Sequence, residues 1–219
     1  MMLKSFGCSF IFGTDLPDDN RTGRYATYSR LTWPALIAKK LNMCYHSYAR
    51  PGTGNLRILE QVLTQAATNE QDFFVIGWTW IDRFDYRDIS TETWRTILPV
   101  ETDARAEFYY RNLHSEYVDK LKTLTYIRTA VDVLEQKGIP FLMTYMDPLM
   151  FDRTWHATPA VTDAQDRILP YMTCFDGDTF LNWSKQNGHE ISSTLHPLET
   201  AHRAAADLTL PIAQQILVN

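Results

Sequence analysis

The sequence predicts an α/β fold, a central parallel sheet covered by helices on both faces, and three observations predict it. Short apolar runs alternate along the chain with longer segments of helical periodicity. Residues 72–78, DFFVIGW, are apolar enough to form a strand buried on both sides. With 219 residues and 45% hydrophobic composition, the chain suffices for one domain over residues 1–219 with a sizeable core.

The elements follow in order. Residues 2–7 are the first strand candidate. TWPALIAKKLNM (32–43) reads as a helix, with Thr32 or Trp33 ahead of Pro34 in the first turn and an apolar face of Leu36, Ile37 and Leu41. CYHSYA (44–49) is the second strand, and RPGTGN is a turn by composition. LRILEQVLTQAA then places Leu56, Leu59, Leu63 and Ala66 on one helical face, ahead of the third strand at 72–78. The longest helix signal runs from Leu113 to Gln136, because Leu113, Tyr117, Leu121, Leu124, Ile127, Val131 and Leu134 recur at steps of three and four. Gly138 is its stop, and IPFLMTYM (139–146) is the fourth strand. A closing helix begins near Pro197, kinked or divided at Pro211. Right-handed crossovers put the first three strands in the order 2-1-3. Residues 84–112 and 147–190 stand outside the alternation and are either peripheral packing or the walls of a cleft.

Composition excludes several function classes. A net charge of −5 and no Lys/Arg block argue against a nucleic acid partner. Cys8, Cys44 and Cys174 are an odd number without metal-ligand spacing, as expected in a reducing compartment. Gly7-Cys8 imitates a lipidation site, but the seven residues before Cys8 are too few for a signal peptide. No apolar run approaches the roughly 18 residues of a membrane span, so the expectation is a soluble, cytoplasmic protein without a membrane partner. Residues 7–13 lack the lysine and spacing of a phosphate-binding loop, and GTG at 52–54 has no third glycine for a dinucleotide fingerprint. His196 and His202 fall on different faces of a helix, and no HExxH pattern occurs. No cofactor and no metal are expected.

Open parallel sheets bind ligands outside the carboxyl ends of their strands. Ser9 follows the first strand, Gly52 the second and Gly77-Trp78-Thr79 the third, and His196 opens the last helix. Singly, each has an ordinary structural reading: a turn serine bonded to its own backbone, a turn glycine, a core or surface histidine.

Together, FGCSFIFGTDLP, WPALIAKKLN, YARPGTGN, VIGWTWIDRFDY and HPLETAH resemble the successive blocks of the SGNH (GDSL-like) hydrolases. The likeness is strongest to a subgroup with a Gly-Cys-Ser-Phe first block, found in phage and bacterial sequences. The resemblance implies a flavodoxin-like three-layer fold and makes Ser9 the nucleophile and His196 its general base. It makes the N–H groups of Ser9 and Gly52 oxyanion donors, because a developing oxyanion needs fixed donors and a serine hydroxyl needs a base. Two positions depart from the pattern. Thr79 stands where asparagine is usual as a further oxyanion donor, and Ser193 stands where an aspartate usually orients the histidine. Glu190, Asp176, Asp178 or a backbone carbonyl are the substitutes open for that acid. Cys8 takes a position usually held by aspartate and is expected to pack rather than react. Trp78 and Trp80 are either core anchors or a stacking surface for a sugar ring, and Arg83 is either a solvated charge or a contact for an anionic substrate.

The expected activity is removal of a small acyl group, acetyl in the first instance, from a carbohydrate or similar polar acceptor. The expected location is the cytoplasm, or a virion if the chain is phage-encoded. The alternative is a catalytically silent binding or structural protein of the same fold. Oligomeric state is left open.

Overall fold

The computed structural model describes residues 1–20, 27–68 and 71–218. The chain enters through strand β1 (Met2–Gly7), a single helical turn α1 (Ser9–Phe12) and helix α2 (Trp33–Lys40), followed by β2 (Cys44–Ser47), α3 (Asn55–Ala67) and β3 (Phe73–Trp78). A hairpin of β4 (Phe84–Arg87) and β5 (Trp94–Ile97) and helix α4 (Ala104–Asn112) interrupt the alternation. Helix α5 (Glu116–Gln136), β6 (Phe141–Tyr145), α6 (Pro159–Ile168), α7 (Phe180–Gln186) and α8 (Glu199–Val218) complete the chain.

The four strands of the main sheet are all parallel in the order β2-β1-β3-β6, which contains the expected 2-1-3 arrangement. Side chains of β3 alternate between two cores. Phe73 and Val75 join Leu3, Leu142, Trp33 and the α8 alanines on one face. Phe74, Ile76 and Trp78 join Phe6, Val62, Ile127 and Val131 on the other. All six residues of β3 are buried, as its continuous apolar run requires.

Two helices differ from the sequence expectation. The helix expected from Leu113 starts at Glu116, because Ser115 caps it by accepting from Val118 N–H and the preceding residues form α4, capped by Asp103. Leu113, assigned to the apolar face, is 63% exposed. Helix α8 runs through Pro211 without division. Proline leaves the carbonyl of Asp207 without its helical donor, but both residues are exposed, so water can serve that carbonyl.

Two contacts hold the layers in register. Gly7 and Gly77 are paired residues at the ends of β1 and β3, and Ile11 of α1 lies across both. A Cβ on Gly77 would stand 2.7 Å from Ile11 Cγ1, and one on Gly7 would stand 2.6 Å from the same atom. On the same side of the sheet, buried His202 of α8 accepts a hydrogen bond at Nδ1 from Trp33 N–H at 3.1 Å, joining α8 to the first turn of α2. Burial, with a smaller contribution from His196, pushes its pKa down to about 3.

Two outcomes follow. Gly77→Ala is expected to destabilise the protein by about 1–3 kcal/mol through overpacking against Ile11, and Ile11→Ala in the same chain should make the double variant more stable than the sum of the two losses. Urea unfolding of both single variants and the double variant checks this, and strict additivity would refute the contact. The second concerns acid. Unfolded His202 titrates near 6.5 and folded His202 near 3, so its contribution is complete above about pH 6.5 and is lost as pH falls toward 3, by at most about 1.4 kcal/mol per pH unit. His202→Asn, which keeps an acceptor, should flatten this acid limb in unfolding measured between pH 7 and pH 4; an unchanged slope would assign the acid sensitivity to other groups.

Candidate active site

The chain turns sharply at the carboxyl end of β1. Cys8 is extended, its carbonyl accepts from Ile11 N–H at 3.1 Å and Phe12 N–H at 3.0 Å, and Ser9 becomes the first residue of α1. Gly13, with φ 85°, ends the turn and donates its N–H to Ser9 O at 2.9 Å. Cys8 is buried in the core, in keeping with a packing role. Arg50 N–H donates to Gly7 O at 3.0 Å and so brings the loop after β2 beside this turn. Within that loop Gly52 has φ 74°, a conformation that favours glycine. Among the described residues no acceptor is bonded to the Gly52 N–H.

His196 arrives from the other end of the chain, in a turn closed by Ser192 N–H donating to His196 O at 2.8 Å and His196 N–H donating to Ser192 Oγ at 3.1 Å. Its imidazole lies 5.0 Å, centroid to centroid, from the ring of Phe10, the residue after Ser9. On its other side, Nδ1 is 3.0 Å from Asp15 Oδ2, a residue 181 positions away. The same carboxylate oxygen accepts from Ser192 Oγ at 2.8 Å and from Thr194 Oγ1, and Thr194 Oγ1 also lies 2.9 Å from Nδ1. Asp15 (φ 70°) and Leu195 (φ 67°) both take the left-handed conformation, which costs a non-glycine residue roughly 1–2 kcal/mol, the less for aspartate.

Ser9, Gly52 and His196 line one cavity of about 500 Å³, together with Thr14, Asp82, Arg83, Thr194 and a largely apolar remainder. Ser9 is 7% exposed there. Both long segments outside the β/α alternation reach this cavity, Leu98 to Val100 from the first and Leu181 from the second.

Two expected site residues lie elsewhere. Thr79 is fully buried, does not line the cavity, and its N–H is taken by Asn55 Oδ1 at 2.8 Å. Its hydroxyl has no partner among the described residues, so it gives no donor to an oxyanion at the cavity. Trp78 is fully buried among the residues of the second core, with Nε1 against Met143 Sδ at 3.4 Å, and presents no stacking surface. The period-two alternation of β3 sends Trp78 to the core, and two residues on Trp80 reaches the cavity wall, where its ring lies 4.8 Å from the Arg83 guanidinium carbon. Arg83 donates to Thr53 O at 3.0 Å and lines the cavity. Burial and the neighbouring Asp147 hold the carboxyl of Asp82 above its ordinary range, with Arg83 opposing them.

Sequence reasoning missed two residues. Asn55, read as part of a turn, clamps the loop after β3 by donating to Thr79 O at 3.1 Å and Trp80 O at 3.3 Å. Asp15 is the carboxylate at the imidazole, whereas Ser193 and its neighbours were searched. Asp176 is bound to Trp183 Nε1, and Asp178 to Thr179, Asn182 and Gln186. The one local cue to Asp15 was its place just beyond the glycine that ends the serine turn. Among the described residues no group of His, Cys, Asp or Glu is arranged to hold a metal ion, and no helix is long and apolar enough to cross a membrane.

No family model matches the sequence, and no curated protein resembles it at the sequence level. Solved structures do. The psychrotrophic esterase EstA from Pseudoalteromonas sp. superposes with a TM-score of 0.54 at 12% identity, over 100% of this chain and 99% of that one. The acetyl xylan esterase Est2A from Butyrivibrio proteoclasticus gives 0.54 at 13% identity over 99% of this chain and 64% of that one. A lipolytic protein of the G-D-S-L family from Desulfitobacterium hafniense gives 0.51 at 9% identity over 96% and 98%. The parallel sheet, its strand order and its flanking helices thus give this chain the SGNH-hydrolase fold that these esterases share.

Proposed function

We propose that the chain is a serine ester hydrolase in which Ser9 is the nucleophile, His196 the general base and Asp15 the acid that orients it. The observation that carries the reading is the approach of His196 Nδ1 to Asp15 Oδ2 at 3.0 Å, with the imidazole lining the same cavity as Ser9. A carboxylate on Nδ1 places the Nδ1 proton toward it, leaves Nε2 to take the proton from Ser9, and stabilises the imidazolium that results. Ser9 Oγ then attacks the ester carbonyl, and the N–H groups of Ser9 and Gly52 receive the oxyanion. The alcohol departs with the proton from His196, and water, activated by the same imidazole, releases the acid from Ser9.

The polar acceptor expected from the sequence suits the rim, where Asp82, Arg83 and Thr194 offer donors and acceptors to a carbohydrate-like alcohol. Acetyl is a sufficient acyl group for the chemistry. The second reading, a binding protein with a silent site, draws on the burial of Thr79, which withholds a third donor from the oxyanion. The carboxylate of Asp15 at the imidazole favours the enzyme reading.

With p-nitrophenyl acetate, Ser9→Ala and His196→Ala should each reduce turnover to the same residual level, because the two act as a unit. Asp15→Asn should lower kcat by about 100-fold or more while the protein stays folded. Ser193→Asp should leave the rate near that of the wild type, since Asp15 already occupies the imidazole. Equal rates in wild type and Ser9→Ala would leave the silent binding protein standing, and an unimpaired Asp15→Asn would remove Asp15 from the mechanism.

A further inference from the structure

The cavity is far larger than its chemistry demands. An acetyl group uses a small part of the 500 Å³ beside Ser9. The rest is walled by Phe10, Trp80, Leu98, Val100, Leu181 and Leu195, drawn from five separate stretches of the chain. Phe10 is buried and forms the floor, its ring 5.4 Å from Trp80 and 6.5 Å from Phe180. At the rim the side chains open to water: Val100 is 83% and Leu195 56% exposed, on segments that approach the cavity from the hairpin side and the histidine side. Large apolar side chains kept exposed around a concave apolar wall are a site for an apolar ligand.

We infer that this wall seats the acyl chain of the ester, that the preferred acyl group has about six to ten carbons, and that Leu98 and Val100 are its specificity-determining residues. The identity of the ligand as an ester rests on the hydrolase reading; the apolar character of the ligand does not. A sugar on the same wall would surrender water from its hydroxyls without finding partners, because among the described residues the polar side chains lining the cavity are Ser9, His196, the buried Thr14, and Asp82, Arg83 and Thr194 at the rim. A hydrocarbon chain meets no such penalty. Taking a methylene at roughly the 30 Å³ that a water molecule occupies in the liquid, an eight-carbon chain fills about half of the cavity and leaves room for the acceptor. Acceptor and acyl group then divide the site, the alcohol toward the polar rim and the chain against Trp80, Leu98 and Leu181.

The experiment measures kcat/KM for p-nitrophenyl esters from acetate to decanoate with the wild type, and binding of the sodium alkanoates from butyrate to decanoate to Ser9→Ala by tryptophan fluorescence. The inference expects kcat/KM to climb about four-fold per added methylene up to hexanoate or octanoate, with alkanoate affinity climbing in parallel. Leu98→Ala should lower the octanoate-to-acetate ratio by about ten-fold, with a smaller loss in Val100→Ala. Ser9-dependent turnover that is flat or falls with chain length, without chain-length-dependent binding, overturns the acyl pocket and leaves the hydrolase standing. Alkanoate affinity that rises with length in a protein with no Ser9-dependent turnover supports the apolar pocket and overturns the hydrolase. Neither turnover nor binding overturns both.

Discussion

The approach of Ile11 to Gly7 and Gly77 is the constraint on which the rest of the site depends. The turn that carries Ser9 can follow β1 so abruptly because Gly7, the last residue of β1, and its partner Gly77 in β3 have no side chains, leaving a flat seat that Ile11 fills. A methyl group at either glycine would push against Ile11 and, through it, move Ser9 relative to the loop that holds Gly52.

The cavity is closed by residues far apart in sequence. Asp15 and His196 meet across the whole chain, and His202 joins α8 to Trp33 a short distance away in the fold. These two histidines differ in environment. His202 is enclosed among aromatic rings and stays neutral, an acceptor for one backbone N–H. His196 lies at a cavity wall with Nδ1 against the Asp15 carboxylate and the Thr194 hydroxyl. The left-handed backbones of Asp15 and Leu195 bracket this contact, so local strain at two non-glycine residues is offset by the hydrogen bonds that Asp15 accepts.

The segment after the hairpin of β4 and β5 contributes Leu98 and Val100 to the apolar wall, and the hairpin is itself anchored beside the site. Asp85 accepts from Gly54 N–H at 2.9 Å, Arg57 N–H at 2.9 Å and Thr96 Oγ1 at 2.6 Å, although burial raises its pKa. One carboxylate thereby caps α3, fixes the loop of Gly52 and ties down the hairpin. Gly54 is required here, because a Cβ would meet the Asp85 carboxylate at 2.7 Å. Rigid support of this kind for a loop-built wall is what a specific binding cavity needs.

What the sequence by itself determined was the architecture and the residues that gather at one cavity. Period-two and period-3.6 patterns are local properties, so β1 to β3, β6 and the main helices were legible, and the rule that ligands bind beyond the strand ends led to Ser9, Gly52 and His196, all of which line one cavity. Only the tertiary structure decided which acid meets the imidazole and which side chains form the walls. Beyond its place two residues after Gly13, Asp15 has no local mark that separates it from Asp18 or Asp19; its contact with His196 arises because the end of α1 and the start of α8 are brought together by the layers between them. Thr79 faces away from the cavity, and Trp78 takes the core-anchor alternative, for a related reason. Proximity to a strand end specifies the neighbourhood, but whether a side chain faces the cavity or the core depends on the last residue of the strand and on the clamp by Asn55, and both are properties of packing across elements rather than of the sequence around them.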